Sequence, residues 1–348
     1  MESNTTGSGD FLWSDVDWSI LRKLRGRFLQ FDPRDAEYNI PKNDPAEPDR
    51  SDYWSSINDL LSYDFTFAER IGWKWDTVIA ELKTRGWTPP AGNVLDWGCG
   101  TGVAGRRVAD AWPDATRALL QWDRSPNARD FALKRARQSF PRLNVQTANA
   151  DAACDLLMIS HVINELSPEA LDRLLAVAEN AQAILWVEPG TFDASRRLIA
   201  VREKLLAHFR VIAPCTHALA CPMLATGKEL HWCHHFAKIP GYVHMDGGWG
   251  RFSATMGVEL ATLPYSYLVL DRRPAPAPTG PETSRVIGWP RYYKGYAKAL
   301  CCQSDGLREL TLAKRAAPEL LKDMKKDPGS LYQWDRDGDN ILGGKRIF

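Results

Sequence analysis

The sequence predicts an α/β protein built on a doubly wound parallel sheet, and three observations lead to this fold class. The chain has 348 residues, of which 44% are hydrophobic and 25% charged, a composition typical of folded globular proteins and unlike disordered, collagenous or small disulfide-rich ones. From residue 94 onward, short apolar runs alternate with amphipathic segments, as strands and helices do in parallel sheets. A glycine-rich turn directly follows the first of these runs.

A helical N-terminal region is expected over residues 1–90, ahead of the sheet. Within it, apolar and aromatic residues recur with helical spacing over 17–30 and 54–86. Residues 1–10 and 32–52 lack this periodicity and are rich in polar residues, the second segment especially in Pro and Asp. We therefore expect those two segments to be disordered or irregular.

The sheet domain is predicted over residues 91–273. Its first four strands are expected at 94–96, 118–123, 155–160 and 183–188, and its first two helices at 102–111 and 126–139. Ser167 followed by Pro168 is a well-formed helix start, with Ser as the N-cap and Pro at the first helical position. Asp193 is expected to precede a further helix in the same way.

The regular alternation ends at a Cys- and His-rich segment, residues 213–236, which is expected to be a metal-binding insertion in the sheet domain. A strand-like run follows at 264–273. Beyond it, residues 274–348 begin with a Pro-rich linker and contain hairpin-like runs over 285–302. This part is predicted to be a small, β-rich C-terminal extension that supplies one further cysteine.

The sharpest local feature is the run VLDWGCGTGVAGRR, residues 94–107. Its glycines let a ligand approach the backbone and the amides of the following helix. Three of them have the spacing G-x-G-x-G: Gly98, Gly100 and Gly102. With Asp96 two residues ahead, this pattern resembles the first motif of S-adenosylmethionine-dependent methyltransferases. Shifted to end at Gly105, the loop also fits G-x-G-x-x-G, the dinucleotide fingerprint.

Two acidic residues bear on the choice between these cofactors. Asp123 ends the next strand, 21 residues after Gly102, where either fold holds an acid against ribose hydroxyls. Asp96 separates them, because the acid before a methyltransferase loop faces the methionine half of the cofactor, whereas an anionic pyrophosphate needs no acid there. We therefore favour S-adenosylmethionine over a nicotinamide cofactor, and over a glycine turn that only packs a helix on the sheet.

Further polar residues are expected near the same ligand. Asp151, or Asn149 in its place, precedes the strand at 155–160 and is a candidate to reach the adenine. Glu165 is a candidate to line the cofactor pocket. His161 is a possible general base, although a histidine that is hydrogen-bonded in the wall of the pocket is the favoured interpretation.

The cysteines of the 213–236 segment point to a metal centre. Cys215, Cys221 and Cys233 follow the spacing C-x5-C-x11-C, which lacks the C-x2-C unit of common zinc sites, and nearby histidines add possible nitrogen ligands. Cys301 or Cys302 would supply a fourth thiolate if the C-terminal hairpin folds back. Four thiolates suit an iron–sulfur cluster or a structural zinc ion, and scattered core cysteines are the remaining alternative.

Several blocks occur in a fixed order over about residues 60–310: LDWGCGTG, SHVINEL, WVEPGT, APCTH…CP…WCHHF, YSYLVLDR and LCCQSDG. Together they resemble a methyltransferase-like family, mitochondrial and bacterial, that acts in assembly of the small ribosomal subunit. The resemblance implies a class I methyltransferase fold that binds S-adenosylmethionine, a [4Fe-4S] cluster on four cysteines, and association with 16S-type ribosomal RNA. Matched residue by residue, it assigns three cluster ligands, Cys215, Cys221 and Cys233. The fourth lies in Leu-Cys-Cys, where we favour Cys302 over Cys301.

The sequence identifies no catalytic residue. The D/N/S-P-P-Y/F loop that holds the acceptor nitrogen in amino-methyltransferases is replaced by SHVINE at 160–165. Methylation at C5 of cytosine needs a thiolate nucleophile, and Cys215 and Cys221, which lie beside prolines, would be occupied by the cluster. The expected function is therefore an S-adenosylmethionine-binding, [4Fe-4S]-containing factor on ribosomal RNA, with methyl transfer undecided. The alternatives are a non-catalytic assembly module on this scaffold and a small-molecule methyltransferase with structural zinc.

Charge and the N-terminus bear on partners and compartment. The formal net charge is +1, but residues 271–348 carry fifteen Lys and Arg against ten Asp and Glu, an excess that favours RNA, although an unevenly charged solvated surface would look the same. The start MESNTTGSGD lacks the parts of a signal peptide, and no run of eighteen uncharged apolar residues occurs. We expect a cytoplasmic protein, monomeric off the ribosome and not bound to a membrane. The mitochondrial matrix would apply to a processed eukaryotic protein, which this N-terminus does not suggest.

Overall fold

The computed structural model describes residues 11–29, 54, 56–274, 283–327 and 329–348. The segments expected to be disordered or irregular, 1–10 and 32–52, and nearly all of the Pro-rich linker lie outside these residues. The described chain divides into two compact units. The first unit comprises the described parts of 1–79, 89–182 and 237–263, and the second those of 80–88, 183–236 and 264–348.

The N-terminal region is helical, as predicted. It contains α1 (Trp18–Leu29), α2 (Ile57–Tyr63), a π-helical turn (Asp64–Ala68) and α3 (Glu69–Thr84). Helix α2 starts with a capping box, in which Ser56 Oγ accepts the amide of Asp59 and the Asp59 carboxylate accepts the amide of Ser56. This reciprocal pair satisfies two backbone donors that the first turn of a helix leaves without partners.

The first unit contains four parallel strands in the order β3-β2-β1-β4. They are β1 (Gly92–Trp97), β2 (Thr116–Trp122), β3 (Asn144–Thr147) and β4 (Leu156–Ser160). The helices that connect or follow them are α4 (Val103–Ala111), α5 (Pro126–Ser139) and α6 (Pro168–Ala178). Ser167 caps α6 as predicted, because its hydroxyl accepts the amide of Ala170.

The second unit contains the remaining strands of the α/β fold. They are β5 (Ala183–Pro189), β6 (Arg210–Ala213), β7 (His235–Phe236) and β8 (Pro264–Asp271), and β8 lies between β5 and β6, antiparallel to both. Helix α7 (Phe192–Leu205) follows β5. The expectation that Asp193 precedes this helix was wrong, because the hydroxyl of Thr191 caps it and Asp193 lies in the first turn.

Together these elements confirm the predicted fold class, an α/β protein with parallel strands, connecting helices and a helical lead-in. Parallel strands in the order 3-2-1-4 and an antiparallel strand inserted between two later ones are features of the class I methyltransferase fold. The first unit also holds α8 (Gly247–Met256). None of the helices in the described ranges combines the length and the apolar character needed to span a bilayer.

The C-terminal extension is β-rich, as predicted, and forms a closed five-stranded barrel in the order β9-β10-β11-β13-β12. Its elements are β9 (Thr283–Tyr293), β10 (Tyr296–Gln303), β11 (Gly306–Ala313), α9 (Pro318–Lys326), β12 (Leu331–Asp337) and β13 (Asn340–Arg346). Alternate residues of these strands fill the interior, including Ala297, Ala299, Cys301, Leu310, Leu312, Trp334 and Ile341. The predicted hairpin over 285–302 corresponds to β9 and β10.

Candidate functional site

Residues 98–102, here called the glycine loop, connect β1 to α4 in the first unit. Gly98, Gly100 and Gly102 have φ values of 70°, 52° and 76°, a left-handed backbone that favours glycine. A Cβ on Gly98 would lie 2.7 Å from Val162 Cγ1, and one on Gly102 would lie 2.7 Å from Gln121 Nε2. A Cβ on Gly100 would meet no described atom within 4 Å. The loop is therefore closely packed at both ends and open at Gly100, where a ligand can meet the backbone.

Asp123, the predicted ribose ligand, follows β2 and is held beside this opening. Its Oδ2 accepts the amide of Gly100 at 2.9 Å, and its Oδ1 accepts the amide of Ser125 at 2.9 Å. The carboxylate thus holds the glycine loop and Ser125, the N-cap of α5, in place.

Asp96 is fully buried beneath the same loop. Its Oδ2 accepts the amide of Gly105 at 3.0 Å, whereas among the described residues none donates to its Oδ1. Burial raises the pKa of Asp96 to about 7, although the Gly105 amide and Arg106 lower it in part. A buried carboxylate oxygen without a donor fits a cationic ligand group, because such a group would both satisfy the oxygen and favour its ionised form.

Asp151 and Glu165, the other predicted cofactor residues, are both exposed. Asp151 lies in the turn after β3, and this turn is held by a 3.1 Å hydrogen bond from Trp97 Nε1 to the carbonyl of Ala150. The Trp97 ring packs against Trp122, with centroids 4.4 Å apart. These two tryptophans end β1 and β2, so they place apolar surface at the strand ends next to the glycine loop. The sequence alone does not mark them as part of a site, because tryptophan at a strand end is also an ordinary core residue.

Glu165 ends a short 3-10 helix, Ile163–Glu165. The Glu165 carboxylate acts on the hydroxyl of Tyr63, and so does the carboxylate of Asp123 beside the glycine loop. The sequence alone does not mark Tyr63 as part of this site. Burial raises the pKa of the Tyr63 hydroxyl, and the carboxylates of Glu165, Asp64 and Asp123 raise it further. Glu165 and Asp123 therefore lie around the same tyrosine hydroxyl.

His161 directly follows β4 and has a φ of 58°, a strained value for a residue other than glycine. Its Nε2 lies 2.9 Å from Lys74 Nζ, and its Nδ1 lies 3.3 Å from Ser160 Oγ, which also accepts the indole N–H of Trp75 at 2.9 Å. Burial and the charge of Lys74 lower the pKa of His161 well below its usual value. The imidazole is thus neutral and hydrogen-bonded at both nitrogens, which leaves neither nitrogen available as a base in this arrangement.

The cysteine segment, residues 213–236, and the barrel bring four thiols together within the second unit. Cys302 belongs to a buried apolar cluster against which Cys221 and Cys233 pack. Burial raises the pKa of Cys233, and the Cys215, Cys221 and Cys302 thiols raise it further. In the part of the chain that the structure describes, no three His, Cys, Asp or Glu side chains are grouped as ligands of a single metal ion.

Cys301 and Cys302 point in opposite directions, because successive side chains of a strand alternate between its faces. Cys301 is fully buried inside the barrel, where burial raises the pKa of its thiol to about 12 while Trp334 and Arg336 lower it in part. The pKa of Cys302 is also raised by burial, and then by Cys215 and by other thiols of the cysteine segment. Cys302, and not Cys301, therefore faces the cysteine segment, where it packs in one apolar cluster with Cys221 and Cys233.

Helix α7 organises the cysteine segment. Ser195 Oγ donates to the carbonyl of Cys233 at 2.5 Å, and Arg202 Nη2 donates to the carbonyl of His217 at 3.1 Å. Burial lowers the pKa of Arg202, but its electrostatic interaction and hydrogen bond with Cys215, together with the Glu203 carboxylate, raise it overall. Arg202, which also pairs with Glu203, thus offsets in part the rise that burial causes in the pKa values of Cys221 and Cys302. The sequence analysis missed it because nothing in a helical pattern marks its partners.

A buried ion pair joins the barrel to the start of the cysteine segment, again within the second unit. Arg285 on β9 pairs with Glu81, and its Nε donates to the carbonyl of Pro214 at 2.9 Å. Tyr267 donates its hydroxyl to Glu81 Oε2 at 2.6 Å. Burial would raise the pKa of Glu81, but Arg285 and Arg85 outweigh it and hold this pKa well below its usual value. The carboxylate is therefore ionised and fixed by several donors.

A family model described as "Mitochondrial small ribosomal subunit Rsm22" matches residues 75–339. Among solved structures, a protein of Thermoplasma acidophilum is 11% identical over 60% of this chain and 96% of its own, with a TM-score of 0.37. Precorrin-6y C5,15-methyltransferase from Geobacter metallireducens is 14% identical over 56% of this chain and 86% of its own, with a TM-score of 0.34. TrmK of M. capricolum, solved with S-adenosyl-homocysteine, is 8% identical over 56% of this chain and 67% of its own, with a TM-score of 0.31. A search of curated proteins gave no match.

The family match spans both units and includes the glycine loop, the cysteine segment and most of the barrel. It confirms the resemblance to a family of the small ribosomal subunit that the sequence blocks indicated. The chain therefore belongs to the family described as mitochondrial small ribosomal subunit Rsm22.

Proposed function

We propose that this chain is an S-adenosylmethionine-binding, [4Fe-4S]-containing, methyltransferase-like factor that docks on small-subunit ribosomal RNA during ribosome assembly. The observation that carries the proposal is the glycine loop, which is open at Gly100 and leads into α4, where Gly105 donates to Asp96, a buried carboxylate whose other oxygen has no donor among the described residues. An open backbone turn together with a buried, unsatisfied carboxylate oxygen on the preceding strand supports a ligand that combines a nucleoside with a cationic amino acid.

The cofactor would be held by residues of the first unit. Asp123, which is held at the open glycine loop by the amide of Gly100, is proposed to bind the ribose hydroxyls, and Asp96 is proposed to offer its second oxygen to the cationic half. Asp151 and Glu165, both exposed, are proposed to contact the adenine and to line the pocket. When bound, S-adenosylmethionine supplies an electrophilic methyl group, and the protein's contribution is to orient it and exclude water.

The cluster would be held by Cys215, Cys221, Cys233 and Cys302. The proposal is supported by Cys221, Cys233 and Cys302, which share one apolar cluster, and by Cys215, whose thiol helps to raise the pKa of Cys233; four thiolates are the usual ligands of an iron–sulfur centre. When bound, such a cluster supplies a cross-link or a redox centre. Because three ligands lie in the cysteine segment and the fourth lies on β10, we propose the cross-linking role.

Docking on ribosomal RNA is supported by the family match, whose description names the small ribosomal subunit. It is also supported by the cationic excess of residues 271–348, fifteen Lys and Arg against ten Asp and Glu. A polyanion gains binding free energy from such an excess through the release of counterions, so binding should weaken steeply as salt is raised.

Calorimetry with S-adenosylmethionine tests the loop assignment. We expect Gly100→Arg to abolish the binding heat, because the new side chain would fill the opening. Gly86→Arg is the matched control, since Gly86 also has a positive φ (70°) and a Cβ there would meet no described atom within 4 Å, yet it lies outside the loop. Equal binding by wild type and Gly100→Arg would refute the assignment.

A second candidate is a non-catalytic assembly module that keeps the methyltransferase scaffold. The arrangement around His161 favours it, because Lys74 and Ser160 engage both ring nitrogens. The two candidates separate if Gly100→Arg is assayed in cells that lack the wild-type protein. Normal subunit assembly with unchanged rRNA methylation would favour the scaffold, whereas loss of one methyl mark would favour the enzyme.

A further inference from the structure

The topology of the C-terminal barrel indicates a nucleic-acid-binding module. Its strands run in the order 1-2-3-5-4 around a closed barrel, with an antiparallel β10–β11 pair and a parallel β11–β13 pair. Helix α9 lies between the third and fourth strands. This is the arrangement of the OB fold, in which the outer face of strands two and three and two flanking loops bind oligonucleotides or oligosaccharides. In this barrel that face belongs to β10 and β11.

Half of this face is already covered by the cysteine segment. Cys302 and Leu307, paired across β10 and β11, pack in the apolar cluster with Met223 of that segment. The other half extends toward Tyr296 and includes Lys298, whose side chain is 37% exposed. A ligand therefore has access only to the half that lies next to the β9–β10 turn.

Exposed aromatic rings surround that turn. Tyr293 is 42% exposed, and its ring stacks on Tyr296 with centroids 4.7 Å apart and an interplanar angle of 11°. Trp289 is 48% exposed and stacks on Phe236 at 4.6 Å. A large ring that already stacks on a neighbouring ring is fixed in orientation. Its exposed face can therefore stack on a nucleobase with little further loss of side-chain entropy.

Cationic side chains lie among these rings. Arg291 and Lys298 share the single carboxylate of Glu309, which leaves an excess of positive charge on this face. Lys294 is exposed in the turn itself, and Lys314 is also exposed. Lys314 lies beside the turn, because its amide donates to the carbonyl of Gly295 at 2.8 Å. Rings interleaved with cations match single-stranded nucleic acid, whose bases are free to stack and whose phosphates track the charges.

We infer that the barrel is an OB-type module that binds single-stranded RNA over the surface formed by Trp289, Arg291, Tyr293, Lys294 and Tyr296, here called the turn surface. This deepens the proposed docking on ribosomal RNA and rests on it for the choice of RNA as the polymer. A helical RNA is excluded as the main ligand, because its bases are stacked within the duplex and cannot lie on the rings.

Fluorescence anisotropy on the full-length protein tests the inference, with a labelled single-stranded RNA of about twelve nucleotides and a duplex of the same length. We expect the single strand to bind more tightly than the duplex, and the double variant Tyr293→Ala/Tyr296→Ala to weaken binding roughly tenfold or more. Tyr242→Ala is the matched control, because Tyr242 is 49% exposed but lies in the first unit. Its affinity for the single strand should equal that of the wild type.

A second arm tests the phosphate contacts. Lys294→Gln should lower the slope of log affinity against log salt by about one unit, whereas Lys322→Gln, an exposed cation on α9, should leave the slope unchanged. Calorimetric binding of S-adenosylmethionine by every variant serves as the check that the chain is folded.

The outcomes separate the inference from the proposed function. If the wild type binds RNA and the tyrosine double variant binds it equally well, RNA docking stands and the turn surface is the wrong site. Equal affinity for duplex and single strand would also overturn the inference, and so would polyglutamate that competes as well as unlabelled single-stranded RNA. Either result would mean that charge alone drives binding. If the wild type binds no RNA even at low salt, the proposed docking on ribosomal RNA fails together with the inference.

Discussion

The glycine loop and the cysteine site are assembled in opposite ways. In the first unit, Asp96, Gly100 and Asp123 lie within 28 residues of one another along the chain; Asp123 accepts the amide of Gly100, and Asp96 accepts the amide of Gly105 at the start of α4. In the second unit, the grouped thiols extend from Cys215 to Cys302, and helix α7 and the Glu81–Arg285 pair hold the segments that carry them. A nearly continuous stretch of sequence therefore builds the first site, whereas the second exists only after distant segments have packed.

This difference teaches where each site is vulnerable. Changes within the glycine loop should act on ligand binding and on local strain. Changes far from the cysteines, at the contacts that join their segments, should be able to dismantle the second site without altering a single sulfur atom.

The largest effect on stability is expected at Glu81. Glu81→Gln leaves the buried guanidinium of Arg285 without its carboxylate, and removing one partner of a buried pair typically costs about 3–5 kcal/mol. The free energy of unfolding in urea measures this. Tyr267→Phe, which removes one hydrogen bond to Glu81, is a milder variant with an expected loss of about 1 kcal/mol. An equal, small loss for Glu81→Gln and for the half-exposed Glu309→Gln would show that the buried pair does not hold the segments together.

The next largest effect is the pH dependence contributed by Asp96. Its pKa is about 7 in the folded chain against 3.8 for a free side chain, so between these values the folded state binds the proton that the unfolded state has released. The free energy of unfolding should therefore fall as pH rises from about 4 toward 7, and above pH 7 the whole of this contribution should be lost. From pH 5 to pH 8 this amounts to roughly 3 kcal/mol.

Asp96→Asn removes this titration. The free energy of unfolding of the wild type and of Asp96→Asn should be measured at pH 5 and pH 8. Relative to the wild type, the Asn variant should be more stable at pH 8 than at pH 5. Parallel pH profiles for the two proteins would contradict a raised pKa for Asp96.

A smaller effect is expected at Gly288, where the cysteine segment contacts β9. The amide of Gly288 donates to the carbonyl of His234 at 3.1 Å, its φ is 66°, and a Cβ there would lie 2.8 Å from His234 Nε2. Gly288→Ala should cost about 2–3 kcal/mol, from backbone strain together with this clash. Gly338→Ala, at a φ of 56° with no described atom within 4 Å, should show the strain of about 1 kcal/mol alone. Equal thermal midpoints for the two variants would mean that the contact with His234 is not tight.

The predictability of each region follows from this contrast. The glycine loop could be located from sequence because positive φ and a close backbone approach demand glycine at specific positions, whatever the rest of the fold does. Ser167 was recognised as a cap for the same local reason. Thr191 and Asp193 are both good capping residues, and only the folded backbone decides between them. Strand β3 was missed because a single buried side chain, Val145, marks it.

The sequence indicates which residue types form the cysteine site, but it does not show which cysteines face one another in the fold. Cys301 and Cys302 are chemically identical neighbours, and only the pairing of β10 with β9 and β11 decides which of them faces out of the barrel. The last barrel strands carry little signal, since β13 has one buried residue, Ile341, and its other apolar residue, Leu342, is exposed. Arg202 was not foreseen because its partners lie in a segment without periodicity.

The most direct test of the account is the iron content of two single variants purified without oxygen, Cys301→Ser and Cys302→Ser. We expect Cys301→Ser to keep about four irons per chain with a brown absorption band, because its thiol points into the barrel, and Cys302→Ser to lose most of its iron. The wild type provides the reference for both. Equal iron in the two variants, iron loss confined to Cys301→Ser, or a colourless wild-type protein with one zinc ion would contradict an iron–sulfur centre on Cys215, Cys221, Cys233 and Cys302.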